Sequence, residues 1–114
     1  MKIINKSKNT ILAEDVVIAD NPFTRMKGLL GRKELKKGQA LILKPCNSIH
    51  TFFMLFSIDA IFVGLNNQII KTSPFLKPWR LTRVYLSAKF CIELPAGTID
   101  SSLTSEGDFL SFKE

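Results

Sequence analysis

The stretch KPCNSIHTFFMLFSIDAIFVG, Lys44 to Gly64, decides the fold class. It holds the single His, one of two Cys and one acid, Asp59, among large apolar side chains. Aromatic and β-branched residues at this density favour packed, pleated backbone over a surface loop, so the stretch predicts the central strands of a β-rich core. Ser48 to Met54 reads as a buried strand, with Ile49, Thr51 and Phe53 on one face and His50, Phe52 and Met54 on the other. Ile58 to Gly64 reads as the next. It pairs with Gln68 to Thr72 through Leu65, Asn66 and Asn67, because Asn tolerates the positive φ of a tight hairpin.

Upstream, Lys2 to Asn5 and Ile11 to Ala19 predict two short strands joined at the polar turn Lys6 to Asn9, with Glu14 and Asp15 marking an edge or bulge. Asp20, Asn21 and Pro22 form a helix start, since a short polar side chain caps open N–H groups and Pro fits the first turn. Phe23, Met26, Leu29 and Leu30 give that helix one apolar stripe, and Gly31 is placed to end it. Lys33 to Gln39 reads as a loop, and Ala40 to Leu43 as a buried strand closed by Pro45. Downstream, the prolines in Ser73 to Pro78 predict an irregular excursion, followed by strands at Arg83 to Leu86, Lys89 to Leu94 and Phe109 to Phe112. In Lys89 to Leu94, Phe90, Ile92 and Leu94 face the core while Lys89, Cys91 and Glu93 face solvent or a cleft. Short strands, one early helix and no βαβ rhythm predict a single mainly β domain over residues 1–114, a compact antiparallel sandwich or barrel-like fold.

At 114 residues the chain buries roughly two thirds of its unfolded surface, and 46% hydrophobic residues with nine Phe supply a core that needs no disulfide or metal. Cys46 and Cys91 are therefore expected as free thiols, and no cofactor is expected. The opening MKIINKSKNT lacks the apolar run of about seven residues that a secretory signal requires, and no run approaches the ~20 that span a bilayer. The expectation is a cytoplasmic protein without a membrane partner. The net charge of +6 is uneven. Arg25, Lys27, Arg32, Lys33, Lys36, Lys37 and Lys44 stand against Glu34 alone, and Lys71, Lys77, Arg80, Arg83 and Lys89 lie in Ala60 to Ile92, which has no acid. Such stretches are either solvated faces or a surface that attracts anions, acidic partners or nucleic acid.

Several segments resemble the domain of unknown function 192 family: FTRMKGLLGR (Phe23 to Arg32), GQALIL (Gly38 to Leu43), CNSIHTFFM (Cys46 to Met54), IDAIF (Ile58 to Phe62), ELPAGT (Glu93 to Thr98) and Gly107-Asp108. The resemblance runs from about Ala13 to Phe112 and implies a compact β-rich domain with one short helix, without implying an activity. Leu55 and Ser57 stand where relatives with this motif tend to carry Arg and Pro, and Leu55 tells against any role that depends on a cation beside Asp59. Some relatives carry secretion signals.

The residues suggest three kinds of site. Asp59, between Ile58 and Ala60, either accepts backbone N–H bonds from a neighbouring turn or serves as a general base or ligand contact. Cys46 and His50 invite a thiolate–imidazole reading, or, with Cys91 or Asp59, a zinc site, although no CxxC or HxxxH spacing supports a metal. The simpler reading bonds His50 to a backbone carbonyl beside Phe52 and Met54. Met26, Met54 and the Phe residues either pack the core or line an apolar pocket, and Trp79 in its Pro-rich segment is a candidate exposed contact. The combined expectation is a binding module for a small anion or an acidic partner segment. In it Cys46, His50, Thr51 and Asp59 gather at one end of the sheet, bordered by Trp79, Arg80 and Arg83, with Thr51, Trp79, Arg80 and Arg83 as ligand-binding residues. The alternatives are an enzyme using His50 and Asp59 as acid and base, and non-specific nucleic-acid binding.

Overall fold

Ile58–Val63 is buried at every position, so both faces of the sheet containing it must be covered. A computed structural model shows how; it describes residues 1–114, with the side chains of Phe23, Met26 and Lys27 outside the description. The strands are β1 (Lys2–Asn5), β2 (Thr10–Ala13), β3 (Asp15–Ala19), β4 (Gln39–Leu43), β5 (Ile58–Val63), β6 (Ile69–Leu76), β7 (Phe90–Pro95) and β8 (Leu110–Lys113). The helices are α1 (Pro22–Lys27) and α2 (Thr98–Ser101). A three-stranded sheet, β2-β1-β8, packs on a five-stranded sheet, β3-β4-β7-β5-β6, and neither closes into a barrel.

Ile3, Leu12 and Leu110 from the small sheet meet Ile42, Ile61, Val63, Ile92 and Leu94 from the large one. On the opposite face of the large sheet, Leu43, Ile58, Phe62 and Cys91 are covered by Leu29, Leu35, Ile49 and Met54 from irregular chain. The β-rich sandwich expected from the sequence is therefore present, with a third layer of loops over its outer face.

The expected hairpin forms: β5 pairs with β6, and Asn66 and Asn67 take φ of 57° and 58°. The helix begins as expected, with the Asn21 side chain accepting a 2.9 Å hydrogen bond from Thr24 N–H. It ends sooner. Gly28, at φ 47°, caps it by donating its N–H to the Thr24 carbonyl, so Gly31 lies beyond it. Leu29 is buried, whereas the Phe23 and Met26 part of the predicted stripe lies outside the described side chains.

Other expectations need correction. Ile11 to Ala19 is two strands in different sheets, because Glu14 and Asp15 both turn their N–H groups to the Gly38 carbonyl. One strand pair, β3 with β4, is parallel, and residues 20–38 supply the crossover that parallel neighbours require. Ser48 to Met54 is not a strand. Its sole ladder contact is the isolated His50–Leu81 bridge, and Phe53 at φ 65° with a Met54 N–H bond to the Thr51 carbonyl turns the chain. Arg83 to Leu86 is likewise irregular, anchored by Tyr85 N–H to the Asn47 carbonyl. In contrast, Ser73 to Leu76 extends β6. Pro74 is tolerated there because β6 is an edge strand.

Candidate functional site

Strand β7 carries the alternation that builds the site. Phe90, Ile92 and Leu94 enter the core between the sheets, which forces Cys91 and Glu93 onto the outer face. The chain leaving β4 crosses back over that face, where Cys46 N–H bonds the Lys89 carbonyl at 3.1 Å. A cleft of about 400 Å³ results, lined by Arg25, Cys46, Asn47, His50, Met54 and Glu93 among others.

Glu93 is the group that sequence reasoning did not single out. It is 3% exposed, and among the described residues its carboxyl has no hydrogen-bond or ion-pair partner; the oxygens open on the cleft. Burial, with a smaller contribution from the nearby Cys46 sulfur, pushes its pKa up to about 8. At neutral pH it is therefore a protonated carboxyl able to donate a hydrogen bond. A detectable signal was available: an acid two residues from Cys91 on one face of a strand whose other face, Phe90, Ile92 and Leu94, is wholly apolar.

Cys46 is half-buried, with Sγ 3.2 Å from the Ser48 carbonyl oxygen. A hydrogen bond from Cys91 lowers its pKa to about 7, outweighing burial, with help from a backbone bond at Ser48 and the positive charge of Arg25. Cys91, fully buried, is driven the other way, first by burial and then by the same thiol pair. Both cysteines are free thiols. Arg25 stands at the cleft mouth, donating to the Pro45 carbonyl at 2.9 Å. His50, expected to be buried against a carbonyl, is exposed; its Nδ1 accepts from Phe52 N–H at 3.3 Å and its ring stacks on Phe52.

The predicted convergence is partial. Cys46 and His50 both line the cleft, but Asp59 does not join them. In the β5–β7 register Ala60 is opposite Glu93 and Asp59 opposite Leu94, so Asp59 lies on the other face of the sheet. It is fully buried and accepts N–H bonds from Phe75 (2.9 Å), Gly97 (3.2 Å) and Ile99 (2.8 Å). The first serves a bulge where Pro74 interrupts the β5–β6 ladder, and the other two serve open donors at the start of α2. This is the structural role foreseen as one reading of Asp59, and it leaves His50 without that carboxylate as a partner.

Thr51, expected as a ligand contact, is also fully buried. Its hydroxyl donates to the Lys77 carbonyl at 2.6 Å and accepts from Arg80 N–H at 2.9 Å, so it brackets one loop to another. Trp79, Arg80 and Arg83 are exposed on that second loop and do not line the cleft. Among the described residues, no three His, Cys, Asp or Glu side chains are grouped to hold a metal, so Cys46 and His50 lack the third ligand of the zinc reading.

The fold compares closely with a crystal structure of a protein of unknown function from Novosphingobium aromaticivorans, with a TM-score of 0.84 at 18% identity over 97% of this chain and 82% of the other. In sequence, the chain is 36% identical over 111 residues to the UPF0127 protein PH1112 of Pyrococcus horikoshii, covering 93% of this chain and 94% of the relative. It is 34% identical over 115 residues to a UPF0127 protein of Thermococcus sibiricus, covering 97% and 74%. The family profile described as DUF192, Uncharacterized ACR, COG1430, matches residues 3–112, and the chain belongs to that family.

Proposed function

We propose that the domain is a binding module for a small anion, a compact carboxylate, seated in the cleft between Arg25 and Glu93. The observation that carries this reading is Glu93 itself: a carboxyl only 3% exposed, facing the cleft and with its pKa raised by burial, has a proton to donate, and a ligand oxygen in the cleft is placed to accept it. Arg25 supplies positive charge at the mouth, while Met54 and Leu29 give an apolar body something to lie against.

The protonation states set the sign of the pH dependence. As pH rises through about 7 Cys46 becomes a thiolate, and through about 8 Glu93 ionises, so the cleft gains negative charge twice. Anion binding is therefore stronger at pH 6 than at pH 9. The test is an amide-resolved NMR titration with acetate and succinate at both pH values. The expected result is saturable shifts confined to Cys46, Ser48, Glu93 and their neighbours, weakened about tenfold or more at pH 9, a loss of about 1.4 kcal/mol. In Glu93→Gln the step near pH 8 should vanish. Shifts spread over the basic surface, with equal strength at both pH values, would refute the cleft.

A further inference from the structure

Bordering the cleft, which His50 and Met54 line, the loop of residues 50–55 and the segment of residues 77–83 are bonded together into an exposed tip. Phe53, Trp79 and Leu81 are 68%, 57% and 70% exposed there, and Phe53 and Trp79 touch at 4.6 Å between ring centroids. Both aromatics have positive φ, 65° and 64°, a region that bulky L residues rarely adopt. The chain holds them outward nonetheless. Thr51 is the clamp: its N–H bonds the Arg80 carbonyl, its carbonyl accepts from Trp79 N–H and Met54 N–H, and its hydroxyl spans Lys77 and Arg80.

We propose that this tip docks the domain on an anionic lipid surface, with Phe53, Trp79 and Leu81 entering the interface and Lys77, Arg80 and Arg83 meeting the headgroups. Charge supports the choice: residues 44–58 and 77–89 contain no acid. The backbone supports it too, because the Thr51 network satisfies main-chain groups of the tip internally, as an apolar surrounding demands. A base-stacking platform is less well served: Phe52 already stacks on Trp79 at 5.9 Å, Phe53 packs T-shaped with it at 4.6 Å, and Leu81 offers no π-face to a base. The expectation of no membrane partner rested on the lack of a spanning segment, and indeed among the described residues no helix is long and apolar enough to cross a membrane. A protein that lies on a bilayer needs no such segment.

Trp79 is the chain's single Trp, so its fluorescence reads the tip directly. Vesicles of phosphatidylcholine containing about a third phosphatidylglycerol should shift its emission to shorter wavelength and sediment the protein, whereas pure phosphatidylcholine should do so far less. Phe53→Asn places a residue that accepts positive φ at a strained position, so it should melt no lower than the parent while binding anionic vesicles about tenfold or more weakly. Arg80→Glu should weaken binding by a similar factor and remove much of its salt dependence. Unchanged emission and no sedimentation with anionic vesicles overturns the proposal. So does vesicle binding that Phe53→Asn leaves intact, or a Trp79 response to a single-stranded oligonucleotide or an acidic peptide without one to vesicles.

Discussion

Asp59 and Glu93 lie on neighbouring strands, displaced by a single position in the register, and both side chains are almost entirely withdrawn from solvent. The first projects toward the small sheet and receives three main-chain N–H bonds; the second projects the opposite way and receives none from the described residues. Burial alone therefore does not mark a site. What separates the two is whether the fold supplies the donors that a carboxylate loses on leaving water. For Asp59 it does, and the residue joins β5, the β6 bulge and the start of α2. For Glu93 it does not, and the group stays protonated and open to a cleft.

The sharpest way to break this contrast is to remove Asp59. Asp59→Ala leaves three N–H groups without their acceptor and should destabilise the fold by about 3 to 5 kcal/mol in urea denaturation. A loss below about 1 kcal/mol would mean those bonds are not what holds the bulge and α2 together.

Glu93 should behave in the opposite sense. Below pH 4.5 it is protonated in both the folded and unfolded chain; between 4.5 and about 8 the folded chain keeps a proton that the unfolded chain has released, so stability falls as pH rises. At about 1.4 kcal/mol per pKa unit the cost at pH 7 is on the order of 3 kcal/mol. Glu93→Gln should remove that slope, making the variant more stable than the parent at neutral pH and nearly equal to it at pH 4. Should it instead destabilise at every pH, Glu93 would have a structural role like that of Asp59.

Asp108 refines the comparison by adding a cation. Burial works to raise its pKa, but the Asn5 amide, the Lys8 ammonium at 2.8 Å and Ser105 N–H outweigh it and hold the carboxyl below its usual 3.8. Its stabilising contribution is present above 3.8 and is lost as pH falls through the lowered folded value. Because the Lys8 side chain is a third exposed, Lys8→Met should cost only about 1 kcal/mol at neutral pH. Acid titration of the melting temperature should show the low-pH loss moving toward pH 3.8 in the variant. A melting profile unchanged by the substitution would assign the lowered carboxyl to Asn5 and Ser105 alone.

Local physics explains which elements were legible. The hairpin after β5, the capped start of α1 and the alternation of β7 each depend on chemistry a few residues wide: Asn at positive φ, an Asn side chain over open N–H groups, a period of two. The Ser48 to Met54 strand failed because aromatic density measures burial and contact, not ladder pairing. Phe52 and Phe53 pack against Trp79, and the backbone bonds through Thr51 to residues some 30 positions away. Asp59 was rightly recognised as a possible acceptor of turn N–H groups, although which turns it serves depends on Pro74 and α2 lying against it.

From residue types and their spacing alone came the β-rich class, the early capped helix, Trp79 as a candidate exposed contact and the suspicion attached to Cys46 and His50. Only the folded arrangement could decide that β3 and β4 run parallel, that Asp59 and Glu93 open to opposite faces of one sheet, and that Arg25 overlooks the latter. Strand periodicity specifies that alternate side chains part, but not what the rest of the chain lays over each face. That covering, loops on one side and a second sheet on the other, makes one buried acid a clasp and the other a candidate site.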